Sequence, residues 1–327
     1  MSKSILPDPT HPAAGPRRPK HWLRHGVVAA ATAAIPAGLA WVFLHPPRKL
    51  HGKNPRTAFG FTFEHIRLRT EDGVSLAGWY VPPPRQTPLR GVVVLCHGYS
   101  GNRATMLPYL DFLHQAGFAC VLFDFRAHGW SGGTMATFGY REPLDLEAVL
   151  DWVGTRIELR DAPVALLGES MGAAVALLFA AGEPRVGAVV ADSPFARFDG
   201  AVEERLRFAF GPVVGGVVLP ETLRIGGALL GIPCDEIAPE EAVTRIGPRP
   251  VFLIHGADDP QLTPDNSHRI RDAAPDTVEL WEVAGARHCQ AVHLIHDEYG
   301  KRVIAFFEKS LPRVASRVAG DASVQPG

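Results

Sequence analysis

Short apolar runs alternate with amphipathic stretches along most of the chain. Residues 91–96, 119–123 and 164–167 are apolar at successive positions, which is typical of strands buried on both faces of a parallel sheet. Residues 106–115 and 144–153 instead space their apolar side chains three and four apart, as a helix with one buried face does. The pattern therefore predicts a chain in which strands and helices alternate.

The same alternation continues to the end of the chain. Further strands are predicted over residues 187–191, 251–254 and 278–283, and a last helix over 291–309. Near the start, β-forming residues flank Glu71-Asp72-Gly73, which indicates a hairpin. We therefore predict an α/β fold with a mostly parallel sheet, an antiparallel hairpin at its N-terminal end and helices on both faces.

Residues 193–250 interrupt this alternation with several helical pieces, many prolines and a glycine-rich apolar segment. Long insertions into compact domains are often lids or binding elements. We interpret this stretch as a helical cap insertion over the active site. The alternative is a packed helical excursion that has no role in substrate binding.

The N-terminal region has the composition of a membrane anchor. Residues 26–44 carry no charged side chain, and a helix of this length spans the ~30 Å hydrocarbon layer of a bilayer. We predict a transmembrane signal anchor over 26–45, preceded by a disordered basic segment over 1–25, and a disordered tail over 313–327. A cleaved signal peptide and a buried soluble helix are the alternatives.

The orientation of this single-pass anchor is poorly determined by charge. Four basic residues precede the span and four follow it closely: Arg17, Arg18, Lys20 and Arg24 before, and Arg48, Lys49, Lys53 and Arg56 after. Because the positive charge is nearly equal on the two sides, the positive-inside rule favours neither orientation strongly. We expect an extracytoplasmic catalytic domain.

Composition and charge narrow the class of protein. The chain has 327 residues, 46% of them hydrophobic, which excludes a disordered or collagen-like protein. Its formal net charge of −1 argues against a nucleic-acid partner. The four cysteines form no CxxC pair, so we expect no zinc site and no metal.

Candidate chemistry begins at Gly168-Glu169-Ser170-Met171-Gly172, which lies between a predicted strand and a predicted helix. This G-x-S-x-G pattern, in that context, is a nucleophile elbow: a sharp turn that presents the serine hydroxyl above the sheet. The two glycines let strand and helix approach closely, and the positive end of the helix points towards the serine. We predict that Ser170 is a nucleophile.

A serine nucleophile needs a base that is held by an acid. Asp258 and Asp259 follow one predicted strand and His288 follows the next, so both loops leave the same edge of a parallel sheet as Ser170. We predict the triad Ser170, Asp259 and His288. Asp258, and Asp192 at the end of another strand, are the alternative acids.

Together these motifs resemble the α/β-hydrolase superfamily, and in particular membrane-anchored serine hydrolases with a serine-aminopeptidase or monoacylglycerol-lipase-like domain. The resemblance covers about residues 59–311, within a hydrolase domain predicted over 55–312. It also includes His97-Gly98-Tyr99-Ser100-Gly101-Asn102, which matches the superfamily's oxyanion turn, and the loop from Asp124 to Ser131. By this resemblance the backbone amides of Tyr99 and Met171 form the oxyanion hole.

The resemblance implies acyl transfer through a covalent intermediate on Ser170, without an organic cofactor. We expect a serine esterase that acts on acyl or lipid-like esters or thioesters, with a small molecule or lipid as its substrate. A serine peptidase or acyltransferase of the same fold is an alternative, because the triad does not select among them. A non-catalytic membrane-anchored binding protein is the alternative from another class. The sequence makes no prediction of oligomeric state.

Overall fold

The strands form one eight-stranded sheet with the strand order β1-β2-β4-β3-β5-β6-β7-β8. The computed structural model describes residues 34–50 and 52–314 of the chain. The strands lie at β1 Glu64–Arg69, β2 Ser75–Val81, β3 Val92–Cys96, β4 Ala119–Phe123, β5 Val164–Glu169, β6 Val186–Asp192, β7 Val251–Gly256 and β8 Val278–Val283.

The sheet is parallel apart from the first two strands. β1 and β2 form the predicted hairpin, and β2 runs antiparallel to β4. Every pairing from β4 through β8 is parallel. The α/β class, the hairpin and the mostly parallel sheet predicted from the sequence are therefore confirmed.

Helices cover both faces of the sheet. The described helices are α1 Ala34–Leu44, α2 Pro55–Phe59, α3 Leu107–Gln115, α4 Glu142–Thr155, α5 Met171–Ala180, α6 Phe198–Phe210, α7 Pro212–Leu230, α8 Pro239–Ala242, α9 Asp265–Ala273, α10 Ala291–Leu294 and α11 His296–Ser310. α4, α5 and α9 pack on one face, and α3 and α11 on the other. The last predicted helix is thus broken into α10 and α11, and α9 was not predicted.

The core explains why the buried strands are apolar throughout. In β3, Val92, Val94 and Cys96 enter the cluster on one face, while Val93 and Leu95 enter the cluster on the other. Successive side chains of a strand point to opposite faces, so a strand covered by helices on both sides needs an apolar residue at every position.

α6 and α7 form most of the inserted segment between β6 and β7, and they pack closely against each other. α7 leaves much of its apolar surface uncovered: Val213 and Val217 are each 77% exposed. Within the described residues, α7 is the one helix long and apolar enough to cross a membrane.

The predicted anchor lies only partly within the described residues. Residues 26–33 fall outside them, as do 1–25 and 315–327. From Ala34 onwards, α1 buries one face on the domain, with Ala40 and Leu44 each 1% exposed. The Tyr99 hydroxyl donates a hydrogen bond to the Val42 carbonyl over 2.7 Å. Anchoring by this segment stays a prediction, and its described half is a helix packed on the domain.

Candidate active site

Ser170 occupies the sharp turn between β5 and α5. Its backbone has φ 50° and ψ −117°, a strained conformation for a residue with a side chain. The Ser170 amide donates to the Asp192 carbonyl over 2.8 Å, which ties the turn to the end of β6. The strain predicted for a nucleophile elbow is therefore present at this residue.

The two glycines of the elbow are required by close backbone contacts. A Cβ on Gly172 would overlap the carbonyl of Cys96 in β3, and a Cβ on Gly168 would overlap the backbone of Gly172. No rotamer relieves such an overlap, because the atoms that collide belong to the backbone. Glycine is thus required two residues before and two residues after Ser170, because β3, β5 and α5 approach closely at these positions.

The structure brings Ser170, His288 and Asp259 together from three separate loops. His288 Nε2 lies 2.9 Å from Ser170 Oγ, and His288 Nδ1 lies 2.6 Å from Asp259 Oδ2. The loops follow β5, β7 and β8, whose carboxyl ends meet at one edge of the sheet. A carboxylate beside Nδ1 holds the proton there and leaves Nε2 free to accept the serine proton.

Asp259 is held as a carboxylate. Its Oδ1 accepts the amide protons of Gln261 over 2.8 Å and Leu262 over 3.1 Å. Burial alone would raise the pKa of Asp259, but hydrogen bonds from His255 and His288 outweigh burial and hold that pKa well below its ordinary value. The group therefore carries its charge near pH 7.

The two alternative acids, Asp258 and Asp192, lie in environments that differ from that of Asp259. Asp258 is exposed at the surface. Asp192 is fully buried and accepts hydrogen bonds from the Ser193 hydroxyl and the Tyr299 hydroxyl, each over 2.9 Å. Asp259 is the carboxylate that contacts His288.

Ser193 and Tyr299 belong to a buried hydrogen-bond network next to the His288 loop, which the sequence analysis did not predict. Ser193 Oγ also accepts the amide proton of Cys289 over 3.3 Å, and Cys289 has a positive φ of 51° next to His288. Asp192, Ser193 and Tyr299 therefore connect β6 and α11 to the loop that carries the histidine. Ser193 lies two residues after the strand predicted over 187–191, which was the one available indication of its role.

The backbone amides of Tyr99 and Met171, close to Ser170, have no hydrogen-bond acceptor within the described part of the chain, as is also true of Gly172 and Ala173 in the first turn of α5. The amides on either side of Tyr99 are engaged, since the Gly98 amide donates to Glu169 Oε1 over 3.3 Å and the Ser100 amide to His128 Nε2 over 3.2 Å. Free amides at these positions are available to bind an oxyanion.

His97 and His128 stabilise the turn that carries Tyr99. His97 Nε2 accepts the Phe125 amide proton over 3.0 Å, and its Nδ1 donates to the Gly98 carbonyl over 2.8 Å. Burial lowers the pKa of each of these imidazoles to about 4, so both stay neutral near pH 7. A neutral ring can accept at one nitrogen and donate at the other, as both do here.

A cavity of about 440 Å³ opens onto Ser170 and His288. Its apolar wall contains an aromatic row in which Tyr99 stacks on Phe138 and Phe138 stacks on Phe198. Phe43 and Lys49, from α1 and the segment after it, also line the cavity. The sequence analysis assigned that region to an anchor and so missed its place beside the site.

Among the residues that the structure describes, no group of three or more histidine, cysteine or acidic side chains could hold a metal ion. The polar groups at Ser170 are a hydroxyl, an imidazole and a carboxylate in one hydrogen-bonded line. This arrangement, on an α/β sheet, is the one that hydrolases of this architecture use.

Comparison with known proteins places the chain in the same class. A profile of the α/β-hydrolase fold family matches residues 91–214. The esterase Pf2001 of Pyrococcus furiosus superposes with a TM-score of 0.67 at 27% identity, over 82% of this chain and 99% of its own. The chain therefore has the α/β-hydrolase fold, and its similarity to the α/β-hydrolase superfamily is confirmed.

Two further relatives extend the comparison. The protein YqkD of Bacillus subtilis is 29% identical over 72% of this chain and 76% of its own. The acylaminoacyl peptidase of Pyrococcus horikoshii shares the fold, with a TM-score of 0.58 at 18% identity, over 78% of this chain and 43% of its own. The fold, with esterase and peptidase among its structural neighbours, supports a hydrolase.

Proposed function

We propose that this protein is a serine hydrolase that cleaves carboxylic esters through an acyl-enzyme on Ser170. The observation that carries the proposal is the continuous hydrogen-bonded line from Asp259 through His288 to Ser170, with distances of 2.6 and 2.9 Å. An esterase of the same fold at 27% identity favours an ester over a peptide bond.

The reaction begins when Ser170 Oγ attacks the ester carbonyl carbon and His288 Nε2 takes the hydroxyl proton. Asp259 stabilises the imidazolium that forms. The amides of Tyr99 and Met171 donate to the oxyanion of the tetrahedral intermediate, each contributing about 3 kcal/mol. Collapse expels the alcohol with the proton from His288. A water molecule, deprotonated by His288, then attacks the acyl-enzyme. His288 returns the proton to Ser170 Oγ as the acid leaves.

The substrate class follows from the cavity. A cavity of about 440 Å³ with an aromatic wall accommodates a small or medium acyl group. Burial of apolar acyl surface against Phe138 and Phe198 contributes to binding. We therefore expect activity on acyl esters and thioesters with an apolar acyl chain.

Labelling with a fluorophosphonate probe tests the proposal. The wild-type protein should be labelled, and Ser170→Ala should abolish the labelling. Ser75→Ala serves as a control, since that serine is exposed at the start of β2. A set of 4-nitrophenyl esters of increasing chain length then defines the acyl preference. Labelling that persists in Ser170→Ala would exclude this serine as the nucleophile.

We also propose that the enzyme works at a membrane surface, held there by the N-terminal segment that includes the predicted anchor, with an extracytoplasmic catalytic domain. The α1 part of that segment contacts the domain on one face and leaves the other face exposed. The uncharged run at 26–44 supports this. So do exposed apolar side chains on two described helices, Trp41 at 56% on α1 and Val217 at 77% on α7. Apolar helix faces of this kind partition into the bilayer interface.

Cell fractionation tests the membrane proposal. The full-length chain should sediment with membranes, and a chain lacking residues 1–33 should move at least partly to the soluble fraction. Protease added to intact cells tests the orientation, and cleavage only after lysis would contradict an extracytoplasmic domain. Recovery of the full-length chain as a soluble protein would refute anchoring.

A further inference from the structure

The cavity at Ser170 has a cationic side as well as an apolar one. Its charged lining residues are Lys49, Arg205 and Glu169. Glu169 is occupied within the protein: its oxygens accept from the Gly98 amide, the Thr105 hydroxyl over 3.3 Å and the Tyr109 hydroxyl over 3.2 Å. The two cations are not neutralised in this way.

Arg205 differs from the other arginines of the inserted segment. Its guanidinium bonds to the side-chain oxygen of Gln261, a neutral group, and no carboxylate within the described residues lies within 4.0 Å of it. The other cap arginines bond to carboxylates or to carbonyl groups: Arg197, Arg207, Arg224, Arg245 and Arg249. Arg205 is therefore a partly buried cation with no carboxylate partner among the described residues.

Arg205 is connected to the candidate triad through Gln261. Its partner Gln261 donates its backbone amide to Asp259 Oδ1 over 2.8 Å, so the guanidinium lies against the loop that carries the acid. The positive charge of Arg205 also acts on Tyr99, which lines the cavity. Burial raises the pKa of Tyr99 to about 12, and the positive charge of Arg205 opposes that shift.

Lys49 contributes a second positive charge to the same cavity. Its backbone is fixed, because the Lys49 carbonyl accepts a hydrogen bond from the Asn102 side chain over 3.3 Å. No carboxylate lies within 4.0 Å of its ammonium among the residues described. Two cations that have no carboxylate partner in the described part of the chain and share one concave site attract an anion. A guanidinium binds carboxylate and phosphate oxygens through two parallel hydrogen bonds.

We propose that Arg205, with Lys49, binds an anionic group on the substrate, so that the preferred substrate is an ester with an apolar acyl chain and a carboxylate or phosphate. The inference rests on the proposed esterase function. Partial burial strengthens the interaction, because the local dielectric is lower than that of water. Gln261 uses only part of the donor capacity of the guanidinium, which leaves N–H groups for the anion.

Kinetics on matched esters test the proposal with the full-length protein. One pair compares mono-4-nitrophenyl glutarate with 4-nitrophenyl pentanoate, which places the anion on the acyl side. A second pair compares a 1-acylglycerol 3-phosphate with the corresponding monoacylglycerol, which places it on the alcohol side. The variants are Arg205→Gln, Arg205→Lys and, as a control on the same helix, Arg207→Gln, which is exposed and paired with Glu203.

For at least one pair, the wild type should prefer the anionic ester. Arg205→Gln should lower that preference about tenfold, mainly through KM, because a hydrogen bond to a charged group is lost. Arg205→Lys should keep part of the preference, and Arg207→Gln should keep all of it. Absence of preference in the wild type, or equal loss on anionic and neutral esters in Arg205→Gln, would overturn the proposal.

Binding measured without turnover separates this proposal from the esterase function. For at least one of the two ester pairs, Ser170→Ala should bind the anionic ester more tightly than the neutral one in calorimetry, and Ser170→Ala with Arg205→Gln should lose the difference. This result supports the anion site even if no ester is hydrolysed. Equal affinities of Ser170→Ala for the two members of both pairs refute the anion site even in an active esterase.

Discussion

Replacing Asp259 by asparagine should disable the enzyme through the tautomer of His288. The change keeps the size of the side chain and removes its charge. The amides of Gln261 and Leu262 both donate to Oδ1, at 2.8 and 3.1 Å, so the oxygen of the new carboxamide keeps that position. The new NH₂ group then faces His288 Nδ1, which lies 2.6 Å from Oδ2 in the wild type.

An NH₂ group donates hydrogen bonds, so Nδ1 of His288 must accept. The imidazole proton then moves to Nε2, the atom 2.9 Å from Ser170 Oγ, and Nε2 can no longer take the serine proton. Loss of the correct tautomer in a triad of this kind costs about 10⁴ in kcat, or roughly 5.5 kcal/mol of transition-state stabilisation. Asp259→Asn should therefore lower kcat/KM by about 10⁴.

Hydrolysis of a 4-nitrophenyl ester and the rate of fluorophosphonate labelling measure this effect. Asp258→Asn is the matched control, because Asp258 is the exposed neighbour on the same loop. It should change kcat/KM by less than about twofold. Circular dichroism should show both variants folded. A large loss in Asp258→Asn with an active Asp259→Asn would mean that the acid had been misassigned, and equal losses would indicate a damaged loop.

Two further changes test the elbow. Gly172→Ala should prevent soluble expression or lower the free energy of unfolding by more than about 3 kcal/mol, because the added Cβ would overlap the Cys96 carbonyl. The control is Gly182→Ala, where the added Cβ meets open space and the loss should be less than about 1 kcal/mol. Similar losses in the two variants would refute the steric argument. Burial raises the pKa of Glu169 to about 7 from an ordinary 4.5, so its contribution to stability is complete below pH 4.5 and lost as the pH rises through 7. Glu169→Gln should remove about 3 kcal/mol of that pH dependence in denaturant unfolding, and parallel wild-type and variant profiles would contradict it.

The sheet could be predicted because each strand carries its own local pattern. β3 and β5 are apolar at nearly every position and end at glycine-containing turns, so their burial on both faces follows without knowledge of their neighbours. The helix α9 was missed because Asp265–Ala273 is mostly polar and only a few of its side chains are buried. Its packing against β7 and β8 outweighs a weak local pattern.

The candidate triad was also accessible from the sequence, since each member follows a predicted strand. The choice of acid was harder, because Asp258 and Asp259 are neighbours and point in different directions. Only the folded loop gives Asp259 its buried contacts with His288 and two backbone amides, and leaves Asp258 at the surface. That the three residues act as a catalytic triad stays a prediction.

The sequence by itself determined the α/β class, the strained turn at Ser170 and the loops that carry Asp259 and His288, because strand burial, turns and capping depend on residues close together in the chain. The tertiary structure alone decided that Arg205 and Lys49 line the cavity and that α1 packs beside its mouth. These contacts join segments far apart in sequence. Their geometry depends on how α6 and α1 pack against the rest of the domain, and the local pattern of polar and apolar residues carries no information about that packing.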